Sequence, residues 1–479
     1  MSNEGKEPAG VLERKARKSF FQNLHVYVLL VGVLVLLTAL THIIPAGEFE
    51  TYEDPVTERT LIVPGSYHPV DPSPVGFFQM VMSIQQGMID AADIIFFIFF
   101  AYGFVNVLVE SGTLFGAVGA LLRHFKGVGT LIIPSFMFLF GVLGSTVGIF
   151  EEVYGLIPAF MGIFLALGYD GLVGGAVVVV GVATGFAAAT LNPFTIGVAQ
   201  KIAELPFGSG WQFRIVVFLA FQLLAIFYVM RYAARVKSNP ELSVVKGVHF
   251  PMGEGVNEAL IRDHPFTGRH QLSALCLVLT VLFVIVGTTQ WGWYLDELAA
   301  LFIVMMVVVG LINGYSLNRI AELFVEAVGR VALGALVVGV ARSLTLVMTE
   351  GKIIHTVIYW ASGVVADLSH SLAAVGMLVV QNLLNFFIPS GSGQAAASMP
   401  IMVPLADTLE IKRQVAVLAF QFGDGFSNMI WPTAVATECG LMGIPIQRWY
   451  RFMVPLFLLM FVLQVIFILV AVAINLGPM

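Results

Sequence analysis

The sequence predicts an all-α polytopic membrane protein with about ten to twelve transmembrane segments in two inverted repeats. Each repeat is expected to carry a re-entrant helical hairpin and a broken helix. Three observations predict this. Of 479 residues, 58% are hydrophobic and 11% charged, less than half the charge, roughly 25%, of a typical soluble domain. Mean hydropathy is +0.91. Apolar runs of spanning length recur along the chain, and its two halves can be laid on each other. A single soluble core stops growing near ~250–300 residues, so this much apolar surface needs a bilayer around it. Soluble enzymes, nucleic-acid binders and disulfide scaffolds are excluded. Cys276 and Cys439 lie in or beside apolar stretches and suggest neither a disulfide framework nor a metal cluster.

Residues 1–24 form a polar, basic tail with Lys6, Arg14, Lys15, Arg17 and Lys18. The run His25 to Pro45 has the ~20 residues needed to span hydrocarbon and is longer than the apolar region of a signal peptide. Basic loops stay inside, so the N-terminus is expected in the cytoplasm. The loop 46–75 holds Glu48, Glu50, Glu53, Asp54, Glu58 and Asp71 against Arg59 and belongs outside. Arg231, Arg235, Lys237, Lys246, Arg262 and Arg269 make 231–270 a cytoplasmic linker. It divides a first half (25–230) from a second (271–479), whose C-terminus falls in the periplasm of a bacterial inner membrane. Further apolar runs lie near 91–109, 128–143, 172–191, 212–230, 271–289, 297–313, 333–348, 371–388, 413–422 and 450–475. Residues 112–125 and 352–362 are short and ambiguous. Segments 76–90 and 316–331 are amphipathic and lie on the membrane surface or lead obliquely into the next span.

The repeat is carried by matched features in matched order. Val107 to Leu114 and Leu346 to Ile353 align through Gly112 and Gly351, an offset of 239 (351 − 112). Gly144 to Pro158 aligns with Ser390 to Pro404 at 246 (404 − 158), which sets Gly144-Ser145-Thr146 on Ser390-Gly391-Ser392. Gly185 to Pro193 faces Gly423 to Pro432, again at 239 (432 − 193). The first copy starts outside after one span and the second inside after two, so the copies are inverted. Secondary transporters are built this way, and interrupted segments at matching positions mark their binding sites.

Pro389 to Ser398 is poor helix material, and irregular backbone at membrane depth requires protein or a water-filled cavity around it. It predicts a Gly/Ser-rich hairpin tip at about 389–408, paired with one at about 143–168. Broken helix ends there offer N–H groups to an anionic group and C=O groups to a cation. Ser145, Thr146, Ser390, Ser392 and Gln394 add polar ligands, with a Na⁺ position expected near Ser145, Thr146, Ser392 and Asn428. Pro193 and Pro432 break their helices, so Thr190, Asn192, Ser427 and Asn428 either take over the freed backbone groups or face a ligand. Ionisable residues in the membrane are costly and functional by default. Glu151, Glu152, Asp424 and Arg342 qualify, and neighbouring glutamates point ~100° apart in a helix. One is expected at the cavity, the other at the interface or at Arg342. No Lys or Arg occurs from Ser145 through Gln200 or from Phe386 through Ile411. That balance favours amino acids, cationic ones included, over dicarboxylates.

The tip Pro389-Ser-Gly-Ser-Gly-Gln-Ala, the Gly144-Ser-Thr…Glu151-Glu152 hairpin and the Asn192-Pro193 break resemble the YfcC branch of the DcuC-type anaerobic carriers, within the ion-transporter superfamily. The resemblance covers nearly the whole chain from residue 20 onward. It implies a homodimer in which a transport domain bearing two hairpins moves against a scaffold as an elevator, with Na⁺ or H⁺ coupling or exchange and no other cofactor. By this likeness Ser145, Thr146, Ser390, Ser392 and Asn428 lie near substrate or ion. Members near this branch carry C4-dicarboxylates or exchange basic amino acids such as arginine and ornithine, so the substrate stays open between the two. The expected partners are a small solute, the lipid bilayer and a second copy, without nucleic acid. A channel and an intramembrane serine hydrolase are the rival classes. The hydrolase would need a histidine base beside Ser392, with His355 and His370 the nearest candidates.

Overall fold

The computed structural model describes residues 25–54, 59–124, 128–250, 264–291, 293 and 295–477. The tail 1–24 and residues 251–263 of the linker lie outside them. The first half contains α1 (Val26–Leu40), α2 (Phe77–Asp90), α3 (Ala92–Glu110), α4 (Thr113–His124), α5 (Val128–Thr146), a 3₁₀ segment (Glu151–Leu156), α6 (Ile157–Ala166) and α7 (Gly171–Ala187). A π turn (Pro193–Gly197), α8 (Val198–Ile202) and α9 (Trp211–Ser238) complete it. After the linker come α10 (Gly268–Gln290), α11 (Leu295–Ile312), α12 (Leu317–Glu350), α13 (Ile354–Ala366) and α14 (His370–Phe387). The chain ends with α15 (Gly391–Thr408), α16 (Arg413–Ser427), α17 (Pro432–Met442) and α18 (Ile446–Ala473). Six of these helices (α3, α9, α11, α12, α14 and α18) are long and apolar enough to cross a membrane. The all-α polytopic expectation is met.

Helices dominate even where β-branched residues crowd together, as at Val177–Val180 in α7, because a segment in lipid must satisfy its own backbone. α7 and α16 are buried almost throughout; α7 has no polar face, whereas α16 buries a polar stripe of Gln414, Gln421, Asp424 and Ser427. They form the centre of the molecule and cross where Gly425 meets Ala187. A Cβ on Gly425 would stand 2.3 Å from the Ala187 Cα, so the side chain is absent because the backbones touch.

Each central helix is flanked by its own hairpin. α5 and α6 pack on α7, and α14 and α15 pack on α16. The α5–α7 contact is equally close, a Cβ on Gly185 falling 1.9 Å from the Gly141 carbonyl oxygen. α5 and α14, over the expected spans near 128–143 and 371–388, lie beside α6 and α15 on the two central helices. Arms of 19 and 18 residues match a full crossing in length, so length does not separate an arm from a span.

The halves interlock around the α3–α12 contact. α1, which leads the first half, packs on α12 of the second, while α11, the second helix after the linker, packs on α3 of the first. The amphipathic stretch 316–331 runs unbroken into its span as one 34-residue helix, whereas α2 and α3 are divided at Ala91. The loop 46–75, read only as an acidic loop, also folds. β1 (Gly47–Glu48) pairs with β4 (His68–Pro69), and β2 (Thr51–Asp54) pairs with β3 (Arg59–Ile62), both antiparallel. β3 lies against α15, and Tyr67 stacks on Tyr359 of α13 at 4.1 Å.

Candidate functional site

The first tip forms where α5 ends at Thr146 and Gly148 reverses the chain at φ +81°. The last carbonyls of a helix lack intrahelical donors. Here the Ser145 carbonyl receives the Thr190 and Leu191 N–H groups at 2.9 and 3.1 Å, both freed by the break after α7. The Ser145 and Thr190 hydroxyls meet at 3.1 Å, and Thr146 donates back to the Val142 carbonyl at 2.7 Å. Ser145 and Thr190 thus staple the first tip to the first break, while Thr146 bonds back to its own helix, and Ser145 is only 1% exposed. In this conformation their hydroxyls are committed to protein partners.

Asn192 shapes the turn beyond this staple. Its Oδ1 accepts from the Phe194 and Thr195 N–H groups at 2.9 and 3.3 Å, capping the π turn after Pro193. A Cβ on Gly148 would come within 2.4 Å of that oxygen. The Asn192 Nδ2 and the Thr195 hydroxyl are buried without a hydrogen-bond partner.

The second tip reaches the same place from the other half. Ser390 caps α15, accepting from the Gly393 N–H at 3.3 Å, and the tip 389–393 stays half-buried, Ser392 included. A Cβ on Gly391 would lie 2.5 Å from the Thr195 Cγ2 and 3.1 Å from Asp424 Oδ2. First tip, Asn192, Thr195, second tip and Asp424 therefore form one contiguous site. Gln394 stands apart from it. Its amide donates to the Gln381 carbonyl and Oε1 at 2.8 and 2.7 Å, bracing the two arms of the second hairpin.

The second break is organised by Asn385, whose Nδ2 lies 3.0, 2.6 and 2.7 Å from the Asp424 carbonyl, Ser427 Oγ and Asn428 Oδ1. Ser427 also donates to the Asp424 carbonyl at 3.1 Å. The Asp424 carboxylate itself is 0% exposed, and neither oxygen has a hydrogen-bond partner.

Glu152 and Asp93 act electrostatically on Glu151, and Glu151 acts in turn on Asp424 and Glu438. Among the described residues no cation is found acting on Glu151, Asp424 or Glu438. Glu152 turns away, accepts the Phe150 N–H at 2.8 Å and lines a cavity of about 150 Å³. The cavity lies between α3, the first hairpin, α10 and α11, and its walls are apolar apart from Glu152 and Thr280. Arg342 pairs with Asp90 rather than with either glutamate. α2 packs along α12, which brings Asp90 beside it, and both side chains are near 40% exposed (40% and 42%).

Several site residues do not stand out in the sequence. Glu438 is 1% exposed with both oxygens unpartnered, and its being the lone charge in Thr433–Met442 is the signal that could have found it. Asn385 and Thr195 give none, since polar side chains inside apolar helices are common. The two candidate histidines serve the backbone. His355 Nδ1 accepts the Phe49 N–H at 3.2 Å, and His370 Nδ1 meets the Leu409 carbonyl at 2.9 Å.

The family described as DcuC, C4-dicarboxylate anaerobic carrier, matches residues 24–473. The chain belongs to the DcuC family. It is accordingly a multi-pass membrane transporter and not an enzyme, and the resemblance seen in the hairpin tips is borne out. Among DcuC-type relatives, it is 34% identical over 387 residues to the Escherichia coli (strain K12) protein named "Putative basic amino acid antiporter YfcC", covering 78% of this chain and 76% of the relative. An uncharacterized protein of Haemophilus influenzae is 29% identical over 416 residues, covering 85% and 81%. Two solved transporter structures align at 16% identity. The Alcanivorax borkumensis YdaH transporter gives a TM-score of 0.44 over 95% of this chain and 100% of its own. Neisseria gonorrhoeae MtrF, from a class titled antimetabolite efflux pumps, gives 0.43 over 94% and 95%.

Proposed function

We propose that this transporter exchanges basic amino acids, such as arginine and ornithine, across the bacterial inner membrane by an elevator motion. One observation carries the substrate class: Asp424, buried at the junction of the tips, has two unpartnered oxygens and only carboxylate in electrostatic reach. A buried unpaired carboxylate is costly, and a cationic group of the solute removes that cost. The solute carboxylate would find the unpartnered Asn192 amide and the N–H groups at the start of α15, where the helix dipole is positive. The name of the Escherichia coli relative agrees with this assignment.

The moving unit is proposed as the two hairpins with α7–α8 and α16–α17, and the scaffold as the elements around α3 and α12. The apolar cavity beside Glu152 falls on the boundary between them. A homodimer, a cytoplasmic N-terminus and a periplasmic C-terminus complete the assignment, with a proton or Na⁺ as the coupling ion if exchange is not obligatory. Proteoliposomes loaded with ornithine should take up labelled arginine by saturable counterflow, and a channel would give flux that does not saturate. The description of the family favours a second assignment, C4-dicarboxylate transport. Counterflow of succinate with none of arginine would establish it in place of the first.

A further inference from the structure

The two repeats turn alike but with different residues. Between α6 and α7 the Gly168 N–H donates to the Leu165 carbonyl and the Tyr169 N–H to the Phe164 carbonyl, both at 3.0 Å. Between α15 and α16 the Glu410 N–H donates to the Asp407 carbonyl at 3.1 Å and the Ile411 N–H to the Ala406 carbonyl at 2.8 Å. Every partner is displaced by 242 residues (410 − 168), so the turns are equivalent. In the first, the left-handed position is Gly168 at φ +81°, and Asp170 caps α7 by accepting the Val173 N–H at 3.0 Å. In the second, those two places hold Glu410, at φ +57°, and Lys412, whose side chain caps nothing. Both choices cost stability, since a side chain is strained in the left-handed region and the helix lacks a capping acceptor.

What the second turn presents instead is a cavity of mixed charge. This open cavity of about 370 Å³ is lined by Asp407, Glu410, Lys412 and Arg413, with Leu205 and Gln414 beside them. Arg413 is fully engaged, holding Asp407 Oδ2 through Nε and Nη2 at 3.0 and 2.8 Å and Glu204 through Nη1 at 2.6 Å. Among the described residues, Glu410 and Lys412 form no ion pair, whereas Asp407 and Arg413 pair with each other. One free carboxylate and one free ammonium therefore share a cavity whose four lining charges cancel.

We propose that this cavity binds a zwitterionic α-amino acid, its ammonium at Glu410 and its carboxylate at Lys412. A single ion would satisfy one of these charges and leave the other, whereas a zwitterion meets both and keeps the cavity neutral. Lys412 precedes Asp424 by 12 residues (424 − 412), about 18 Å along α16 at 1.5 Å per residue. The cavity is thus a second site, apart from the one at the tips, and does not depend on which solute Asp424 meets.

The test is equilibrium binding of labelled alanine to the full chain purified in detergent, since alanine carries both charges and little else. Saturable binding is expected, with no competition at constant ionic strength from acetate or ethylamine, each of which offers one charge. It should weaken by about three- to tenfold in Glu410→Gln and in Lys412→Gln, each of which removes one ionic contact, and persist in Asp424→Asn. Glu410→Gly restores the residue type of the first turn. It should raise the ligand-free Tm while weakening alanine binding as much, a split that a purely structural glutamate does not produce. No saturable binding, wild-type affinity in either glutamine variant, or competition by acetate or ethylamine as strong as by unlabelled alanine would overturn the proposal. So would loss of binding in Asp424→Asn alone, which would seat the alanine at the tips.

Discussion

Asp424→Asn isolates the charge of the proposed cation site from its shape. The carboxylate accepts no hydrogen bond, so the substitution breaks no bond and removes a buried charge. Replacing a buried ionic group by a neutral one is often neutral or stabilising, and Tm should stay level or rise. Binding is different, because losing one partner of a desolvated ion pair costs about 2–5 kcal/mol. At 1.4 kcal/mol per decade, arginine affinity should fall by about 30- to 4,000-fold. The assay pairs ornithine-driven counterflow of labelled arginine with thermal unfolding in the presence and absence of arginine. A variant that folds normally and keeps an arginine KM within about threefold of wild type would refute the role given to Asp424.

Other substitutions test neighbouring parts of the site. Gly391→Ala places a methyl group 2.5 Å from Thr195 and 3.1 Å from Asp424; overpacking of about 1–3 kcal/mol should lower counterflow by about tenfold or more, and unchanged flux would mean that the tips do not meet this closely. Arginine should slow thiol labelling of Ser392→Cys at the half-buried tip, whereas Ser145→Cys, 1% exposed, should resist the reagent whether or not arginine is present; rapid labelling of the latter would contradict the staple. Val281→Trp, which fills the cavity beside Glu152, should leave arginine-dependent Tm shifts intact while abolishing counterflow, and normal counterflow would remove that cavity from the moving boundary.

The repeat, the tips and the breaks are legible in the sequence because glycine, serine and proline are conspicuous in apolar surroundings. Gly148, Gly391, Pro193 and Pro432 each sit where the chain turns or breaks. Asp424 is legible as a charge beside the break, more than ten residues from any other charged side chain. The packing of α5 and α14 on α7 and α16 is not, since both have the length of spanning helices. Glu438 escapes notice because α17 has 11 residues and does not register as a span. Side-chain commitments such as Ser145 to Thr190, Gln394 to Gln381 and Arg342 to Asp90 join residues distant in sequence, so hydropathy and spacing carry no trace of them.

The crossed packing of α1 on α12 and of α11 on α3 bears on biogenesis. When the ribosome has delivered only the N-terminal half, α1 and α3 lack their contacts with α12 and α11, and Thr195 lacks the second tip. Completion of the C-terminal half supplies all of these at once, so insertion and tertiary assembly become separate events in time. The nascent chain must wait in the bilayer with polar groups uncovered, a natural client for membrane chaperones. Two polypeptides divided in the linker and made together would therefore be able to reunite, while either one alone would not persist.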